Sequence, residues 1–555
     1  MRILKRAAAD FGRHRHDTGQ LGFEDLLMLS AKLLREQPGV RDALGERYRH
    51  LLIDEFQDTD PLQAEVCFLL ASESSQGNDW RTVIPRDGAL FLVGDPKQSI
   101  YRFRRADISV YEFAKRRMRA GGAVLELTAN FRSVPPIADF VNRYFAEEFP
   151  ADGSDVQAPF SPMQTDVAFT AGQGVQQYWV RPQGRAAGSI INADAAGVAS
   201  WIEQRIRTGD AKAGDFLILT PKRDPIAAYA RALGARNIAV STAGGRLTRE
   251  FELNELIVVL HALADPDNPV RVAAALEGMF FGCSPADLYD AHLAGTEFSV
   301  THRPSGDSAA ADRALLQLNE WWIVSQRRPA DLLVERILED TGLLCYAASQ
   351  ILGDSRAGAL LRLVDVLRTA STAGSSGLAD AIERIDRLLT EDSDDIPLRP
   401  ARADSVRVMN LHKAKGLESK IVILATPTST SEHPPRVHVV RSEEGAATGG
   451  VQILAGTRLI AQPVGWNELA DAEQRFAAAE TQRLLYVATT RAKKELVIAR
   501  CELPPTKTSA EPKVDTSFWA PLGELLSQGC GEIHIVHSVA PARRVADRTS
   551  QQVAD

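Results

Sequence analysis

The chain has 555 residues, of which 45% are hydrophobic and 25% are charged. This balance is that of a soluble globular protein of about three to four domains, and it excludes a disordered, collagen-like or membrane-embedded chain. The 64 Lys and Arg residues against 72 Asp and Glu residues give a net charge of −8, so no global basic field indicates nucleic acid, and any contact with it must come from local clusters of cations.

Short apolar runs that end in polar clusters recur along the chain. They are, in order, HLLIDEFQDTD from His50, ALFLVGDPKQS from Ala89, AVLELTANFRS from Ala123, DFLILTPKRD from Asp215, VRVMNLHKAKG from Val406 and KIVILATP from Lys420. Such β-branched and leucine-rich runs predict strands buried on both faces, as in a parallel sheet. The amphipathic stretches between them predict helices, so the pattern indicates an α/β fold. In such sheets ligands bind beyond the carboxyl ends of the strands, which is where the polar clusters lie.

Cysteine usage and hydropathy indicate the cellular compartment of the protein. The five cysteines lie far apart and form no CxxC pair, which favours incidental thiols in a reducing cytoplasm over a metal cluster. No apolar run approaches the roughly 20 residues that span a bilayer, and the first twenty residues lack the apolar core of a signal peptide. The sequence therefore predicts a cytoplasmic protein with no membrane partner.

An acidic pair follows the first predicted strand. Asp54 and Glu55 stand directly after Leu51, Leu52 and Ile53. Two carboxylates at that edge suit one that holds Mg²⁺ and one that polarises a water for attack on a phosphate. An acidic pair alone is more often a solvated loop. The continuation DEFQDTD (54–60), however, resembles the Walker B segment of superfamily 1 helicases of the UvrD/RecB/AddA type.

Four further segments resemble the motifs of that family, in the same order along the chain. They are GDPKQSIYRFRRAD (94–107), LTANFRS (127–133), VRVMNLHKAKGLE (406–418) and ETQRLLYVATTRA (480–492). LGFEDLL (21–27), together with DPKQSIYRFR, favours the RecB/AddA branch. The resemblance implies two RecA-like parallel-sheet motor domains of the P-loop NTPase type, the first incomplete, with a helical inserted domain.

The resemblance also implies a division of the chain. Residues 284–400 are predicted to be the helical insertion because apolar residues there recur at helical spacing. The other expected parts are the C-terminal part of the first RecA-like domain (1–150), the start of the second (151–283), its remainder (401–503, with an irregular insertion at 426–470) and a tail without a nuclease (504–555).

The resemblance assigns roles around ATP and Mg²⁺. Asp54 would bind Mg²⁺, Glu55 would act as general base, and Gln98 would sense the γ-phosphate. Arg132 and Arg491 would neutralise charge on the transferring phosphoryl group. Two further residues would bind the nucleoside, Phe131 by stacking on the adenine and Glu418 by accepting from the ribose hydroxyl.

A second set of residues would contact DNA. Tyr101 and Phe103 alternate with arginines, including Arg104, and aromatic faces stack single-strand bases while arginines meet phosphates. The alternative is an amphipathic helix start with Phe103 in the core. His412 lies in the fifth motif, which in the family touches both DNA and nucleotide, although a lone histidine would otherwise be structural.

The family's P-loop, GxxxxGK[ST], has no counterpart here, because the 555 residues contain no Gly-Lys dipeptide. We therefore expect an N-terminally truncated motor whose first sheet exposes strand edges and apolar surface. The implied function is an ATP-dependent 3′-to-5′ DNA helicase in repair and recombination, as a fragment unable to hydrolyse ATP alone. The alternative is a non-hydrolysing subunit that binds DNA, a second helicase-nuclease subunit, or a partner supplying the missing N-terminal half.

Overall fold

The structure is a computed structural model and describes residues 2–19, 21–242, 251–304, 309–350, 353–372, 377–390, 404–429, 434–441, 447–504 and 515–533. The α-helices in these ranges are α1 (Arg2–Thr18), α2 (Phe23–Glu36), α3 (Pro38–Arg47), α4 (Pro61–Ala71), α5 (Ile108–Gly121), α6 (Pro135–Glu148), α7 (Ala187–Arg207), α8 (Ile226–Gly234), α9 (Phe251–Ala264), α10 (Pro269–Glu277), α11 (Pro285–Leu293), α12 (Ala310–Ser325), α13 (Ala330–Thr341), α14 (Leu343–Ser349), α15 (Gly353–Thr372), α16 (Leu378–Thr390), α17 (Trp466–Thr489) and α18 (Gly523–Ser527). In the described ranges, no helix combines the length and the apolar character that a bilayer crossing requires.

The strands of the described ranges form four sheets. They are β1 (Leu51–Ile53), β2 (Leu90–Leu92), β3 (Gly174–Val180), β4 (Phe216–Thr220), β5 (Val240–Thr242), β6 (Val406–Asn410), β7 (Ser419–Leu424), β8 (Val437–Arg441), β9 (Ala447–Val451), β10 (Ile453–Ala455), β11 (Arg458–Ala461), β12 (Ala492–Cys501) and β13 (Gly531–Glu532). Helices α1 to α5 with β1 and β2 are called the first lobe below. The seven-stranded sheet and the helices on it are called the second lobe.

The first lobe contains a sheet with one bare face. Strands β1 and β2 pair in parallel, with Leu52 opposite Phe91. Their other side chains pack on a core that includes Phe56 and Phe68. Leu52 is 75% exposed and Phe91 59% exposed. A parallel sheet normally buries both faces, so this two-stranded sheet presents apolar surface where a covering layer would lie, as expected from the sequence.

The predicted strand at the start of AVLELTANFRS is not observed. Residues 123–128 belong to no described ladder, and the nearest pairing is an isolated bridge between Ala129 and Gln164. Leu125 is 85% exposed and Leu127 is 95% exposed. The prediction was wrong because an apolar run becomes a strand only when a neighbouring strand accepts and donates its backbone hydrogen bonds. In the described part of the chain, no strand pairs with this run.

The second lobe is built on a seven-stranded parallel sheet, which confirms the predicted α/β class. The strand order is β13-β3-β12-β7-β4-β6-β5, and each neighbouring pair is parallel. Strand β4 is buried along its whole length and alternates between two cores. Leu217 and Leu219 pack on the side of α6, and Phe216 and Ile218 pack on the side of α7. Successive side chains of β4 therefore point to opposite faces of the sheet, and both faces are buried, as the apolar run predicted.

Three features differ from the expected division of the chain. Helix α6 packs on the second sheet, not in the first lobe, since Val134 N donates to Lys493 O at 3.0 Å. The core of the helical unit, which includes Leu256, Leu260 and Trp321, begins with α9, ahead of the expected boundary at 284. Strand β13, expected in the tail, extends the second sheet beside β3.

The predicted insertion at 426–470 contains two antiparallel hairpins, β8–β9 and β10–β11.

Candidate functional site

The candidate residues lie at strand and helix ends of both lobes. Asp54 follows β1 and Gln98 lies six residues beyond β2, both in the first lobe. In the second lobe, His412 follows β6, and Arg491 lies between α17 and the amino end of β12. Contacts between Gln98 and Arg491 and between Tyr101 and His412 bring the motifs of the two lobes together.

Glu55 is held in a strained backbone conformation. Its φ is 54°, in the left-handed region that non-glycine residues rarely adopt. Gln57, which is 1% exposed, donates from Nε2 to Glu55 Oε2 at 2.5 Å and accepts from Asp95 N at 2.9 Å. Strain of this kind persists only where the surroundings over-determine it, and it concentrates at functional sites. Gln57 was not singled out in the sequence, although it lies inside the Walker B segment.

Asp54 offers the chemistry of a magnesium ligand. Its Oδ1 accepts from the amide of Glu55 at 2.8 Å, and the residue is exposed. Mg²⁺ in nucleotide sites takes one or two carboxylates and completes its shell with waters and phosphate oxygens. A single exposed carboxylate at this edge fits that pattern. The described residues include no group of three or more His, Cys, Asp or Glu side chains arranged to hold a metal ion by themselves.

Lys415 crosses from the second lobe to the Walker B segment. Its Nζ lies 2.5 Å from Asp58 Oδ2 and 3.6 Å from Glu55 Oε2, and its side chain is 5% exposed. Burial raises the pKa of Asp58, and the hydrogen bond from Lys415 opposes that rise. Lys415 lies three residues after His412 in the fifth motif, and sequence reasoning did not single it out.

Arg491 is a buried cation whose hydrogen bonds go to neutral acceptors. It is 1% exposed and donates to Gln98 Oε1 at 3.2 Å, to Thr490 Oγ1 at 3.1 Å and to the backbone oxygens of Val487 and Leu417. Burial, together with the nearby Arg132 guanidinium, lowers the pKa of Arg491 to about 10. A buried charge whose hydrogen bonds reach no carboxylate is costly. This deficit, beside a second guanidinium, favours an anion between the two arginines.

Arg132 stands next to Arg491 and is fixed by a carboxylate. Its Nε donates to Glu418 Oε2 at 2.7 Å, and its Nη1 donates to Thr490 O at 3.3 Å. The other oxygen of Glu418 pairs with Lys493. These hydrogen bonds, first from Lys493 and then from Arg132, lower the pKa of Glu418. The predicted ribose acceptor is therefore already engaged by two cations. Phe131, the predicted adenine platform, is 89% exposed beside them.

A separate aromatic cluster joins the third and fifth motifs. Tyr101 donates its hydroxyl to His412 O at 2.9 Å. The Phe103 ring lies 5.3 Å from the His412 ring and 5.9 Å from the Tyr101 ring. Phe103 is 62% exposed, so it is not a core residue. The Arg104 guanidinium lies 5.9 Å from the Phe103 ring centre. All four predicted DNA-contacting residues thus converge, with one aromatic face open to solvent.

Comparison with known proteins agrees with these motifs at both ends of the chain. Residues 2–119 match the UvrD/REP helicase N-terminal domain, and residues 350–502 match the UvrD-like helicase C-terminal domain. The chain therefore carries segments of both the N-terminal and the C-terminal domain of UvrD-like helicases. The RecA-like fold of that family accounts for the parallel sheets described above.

Relatives of this chain are consistent with the RecB/AddA branch. The A subunit of an ATP-dependent helicase/nuclease from Levilactobacillus brevis is 25% identical over 86% of this chain and 42% of the relative. The protein of the same name from Desulforudis audaxviator is 28% identical over 90% and 44%. The RecBCD enzyme subunit RecB of Escherichia coli is 24% identical over 95% and 44%. The chain thus spans less than half the length of these relatives.

Helix α17 carries a further contact that sequence reasoning missed. Arg483 on α17 is 2% exposed and donates to Ser99 O at 2.6 Å and to Val156 O at 2.8 Å. Burial lowers its pKa to about 10. Arg483 lies within the sixth motif, eight residues before Arg491. It ties the helix that ends beside Arg491 to the segment that carries Gln98.

Proposed function

We propose that this chain is part of an ATP-dependent 3′-to-5′ DNA helicase or translocase of the UvrD/RecB/AddA type, acting in DNA repair and recombination. The observation that carries the proposal is the hydrogen bond between Gln98 of the first lobe and Arg491 of the second. This bond brings Gln98, the proposed sensor of the γ-phosphate, into contact with Arg491, the arginine proposed to neutralise phosphate charge. Such an arrangement is what phosphoryl transfer requires, because its catalysis is almost entirely positioning and charge neutralisation.

The proposed roles at the nucleotide follow from the contacts of each group. Asp54 holds Mg²⁺, which neutralises phosphate charge, and Glu55 takes the proton of the attacking water. Arg491 gains its missing counter-charge from the phosphates of ATP, and Arg132 adds a second cation beside it. Glu418 keeps Arg132 in place through its 2.7 Å contact, and it accepts from the ribose only by sharing that carboxylate.

The proposed roles on DNA rest on the aromatic cluster. The exposed ring of Phe103 stacks a base of single-stranded DNA, with Tyr101 and His412 packed around it. Arg104 supplies charge for the adjacent phosphate. A positively charged group beside an aromatic platform is the usual composition of single-strand sites. The cluster draws on both lobes, so opening and closing of the lobes would alter the grip on the strand.

We further propose that these 555 residues need a P-loop from a separate polypeptide segment in order to turn over ATP. The sequence has no Gly-Lys dipeptide to hold the β-phosphate. The bare face formed by Leu52 and Phe91, and the exposed Leu125 and Leu127, supply apolar surface on which such a segment would pack. The same surface favours the alternative function, a non-hydrolysing DNA- or partner-binding subunit of a split helicase-nuclease complex.

A reconstitution assay tests the proposal. DNA-stimulated ATP hydrolysis is measured for the 555-residue chain alone and after a P-loop segment of the family is fused to it or added as a second chain. We expect background turnover alone and activity after addition, and Glu55→Gln in the restored protein should abolish turnover while ATP still binds. Robust hydrolysis by the chain alone, lost on Glu55→Gln, would overturn the P-loop requirement. Binding without hydrolysis in the restored protein would favour the alternative.

A further inference from the structure

One face of α17 grips the segment that carries the DNA-facing aromatics. Glu473, Phe476, Glu480 and Arg483 recur every three to four residues, so they lie on one side of the helix. Arg483 donates to Ser99 O, and Glu480 accepts from the Arg102 amide at 3.2 Å. The remaining two contact the Arg102 side chain. The helix therefore holds residues 99–102 of the other lobe at three successive turns.

The Arg102 guanidinium takes part in this grip through two of its three nitrogens. Its Nε donates to Glu473 Oε1 at 2.9 Å and its Nη2 donates to Glu473 Oε2 at 2.7 Å, a bidentate pair. It also lies 3.8 Å from the centre of the Phe476 ring. Both side chains of the pair are 21% exposed. Arg102, which directly precedes the exposed ring of Phe103, is thus anchored to α17 by a carboxylate and an aromatic ring.

Glu473 has a second partner in the hairpin insertion. His438 on β8 places Nδ1 at 2.6 Å from Glu473 Oε2, and its side chain is 6% exposed. Burial raises the pKa of Glu473, but the hydrogen bonds from Arg102 and His438 outweigh burial and leave the pKa below its usual value. The carboxylate is thus ionised and shared between the hairpin and the segment before Phe103.

We infer that Glu473 is a positioning residue for DNA binding, which fixes the 99–105 segment through Arg102 and joins it to the β8–β9 hairpin through His438. The inference rests on the proposed function, because it takes Phe103 as the base-stacking platform. Glu473 itself touches no base or phosphate. Its effect is to hold the Phe103 ring at the place where a base meets it, without the rearrangement that a loose segment would require on binding.

The chain offers a matched control for this pair. Arg205 on α7 donates to both oxygens of Glu495 on β12, each at 3.0 Å, with side chains 22% and 11% exposed. The two pairs share the same bidentate chemistry and a similar exposure. Glu495 lies in β12, four residues after Arg491, but neither Glu495 nor Arg205 belongs to the 99–105 segment, to α17 or to the β8–β9 hairpin. Glu495→Gln therefore reports what losing such a pair costs the fold alone.

The experiment measures single-strand affinity, and its salt dependence, for the full chain. Glu473→Gln and Arg102→Gln should each weaken binding of an oligonucleotide by about fivefold, the lower end of one stacked base. The double variant should be no worse than either single one, because both changes break the same contact. The salt slope should stay unchanged, since no phosphate contact is lost. With an oligonucleotide that carries 2-aminopurine, either variant should give a smaller stacking-dependent fluorescence change than the wild type. Glu495→Gln should bind like the wild type.

The outcomes distinguish a failure of the role inferred for Glu473 from a failure of the proposed stacking site at Phe103. If Phe103→Ala weakens binding but Glu473→Gln and Arg102→Gln do not, Glu473 is not a positioning residue. If the two variants weaken binding additively or flatten the salt slope, Arg102 contacts phosphate and the inference is overturned. If Phe103→Ala leaves binding unchanged, the proposed stacking site itself is wrong. Arg102→Gln keeps the Glu473–His438 contact, so it remains informative if Glu473→Gln fails to fold.

Discussion

Arg491 and Gln98, 393 residues apart in the sequence, meet at 3.2 Å across the two lobes. The contact is weak for a charged donor, since charge-assisted hydrogen bonds are normally shorter. Gln98 also donates to Asp95 Oδ2 at 2.9 Å, so it is held from the first-lobe side as well. An anion placed here would compete for Arg491 and release Gln98, which links phosphate binding to the state of the lobe interface.

Replacement of Arg491 should remove turnover without unfolding the protein. In the protein restored with a P-loop segment, Arg491→Lys should lower kcat by about 10³-fold or more, because lysine cannot reproduce the charge placement of an arginine finger. The measurement is steady-state ATP hydrolysis with saturating DNA, beside a thermal melt. Arg205→Lys alters a bidentate pair that includes no motif residue; it is the control and should keep its activity. A wild-type kcat for Arg491→Lys would remove it from the phosphate site.

Phe103→Ala should weaken single-strand binding by about 1–3 kcal/mol, the contribution of one stacked base. Phe103 is already 62% exposed, so the alanine variant loses little core packing and its melting temperature should equal that of the wild type. ATP affinity should barely change in the restored protein. Binding is followed by fluorescence anisotropy of a labelled oligonucleotide, with the exposed Leu125→Ala as control. Unchanged DNA affinity would remove Phe103 from the DNA-binding site.

Lys415→Met should destabilise the protein by about 1–3 kcal/mol at neutral pH, because it leaves the buried Asp58 carboxylate without its cation. The pKa of Asp58 is already raised by burial, and loss of Lys415 would raise it further. A group whose folded pKa is raised stabilises the fold at low pH and loses that contribution as pH rises through the folded pKa. The defect should therefore be larger at pH 7.5 than at pH 5.

The test is urea unfolding of Lys415→Met at the two pH values. Asp58→Asn added to Lys415→Met removes the stranded charge, so the double variant should recover much of the lost stability and show little pH dependence. If the single variant lost the same stability at both pH values, the contact would act through packing of the lysine chain and not through its charge.

The bare face of the first lobe should be detectable in solution. Leu52→Ser with Phe91→Ser should reduce binding of a hydrophobic dye and self-association, because it removes exposed apolar area at little cost to the core. The same pair should weaken recruitment of a P-loop segment in a pull-down of purified components. Val270→Ser, at a residue 77% exposed on the helical unit, is the control. Equal recruitment by the Leu52/Phe91 variant and the wild type would place the docking surface elsewhere.

Sequence reasoning located the residues whose signal is local. Asp54 and Glu55 follow an apolar strand, and Gln98 and Arg491 lie in segments that resemble ordered family motifs; the roles of all four stay predictions. The run at 123–128 failed because strand formation depends on a neighbour, which the run's own residues do not encode. Lys415 was passed over although it shares a motif with His412.

The contacts of Glu473 could not be predicted from the sequence, for a different reason. Its partner Arg102 is 371 residues away, and its other partner His438 lies in an insertion without a motif. Glutamates on a charged helix ordinarily indicate a solvated face. Only the packing of α17 between the lobes turns that face inward, and no periodicity within the helix reports which side a distant segment will cover.

Helix α17, at 24 residues, is about 36 Å long, and in the proposed helicase it would connect the nucleotide site to the DNA site. The helix ends two residues before Arg491 and contacts Arg102 through Glu473, so a shift at one end would displace the other. Each ATP cycle of the proposed helicase would then be coupled to movement along the strand. A less rigid helix would uncouple the two, and the ratio of ATP hydrolysed to bases travelled would rise while the rate of hydrolysis stayed the same.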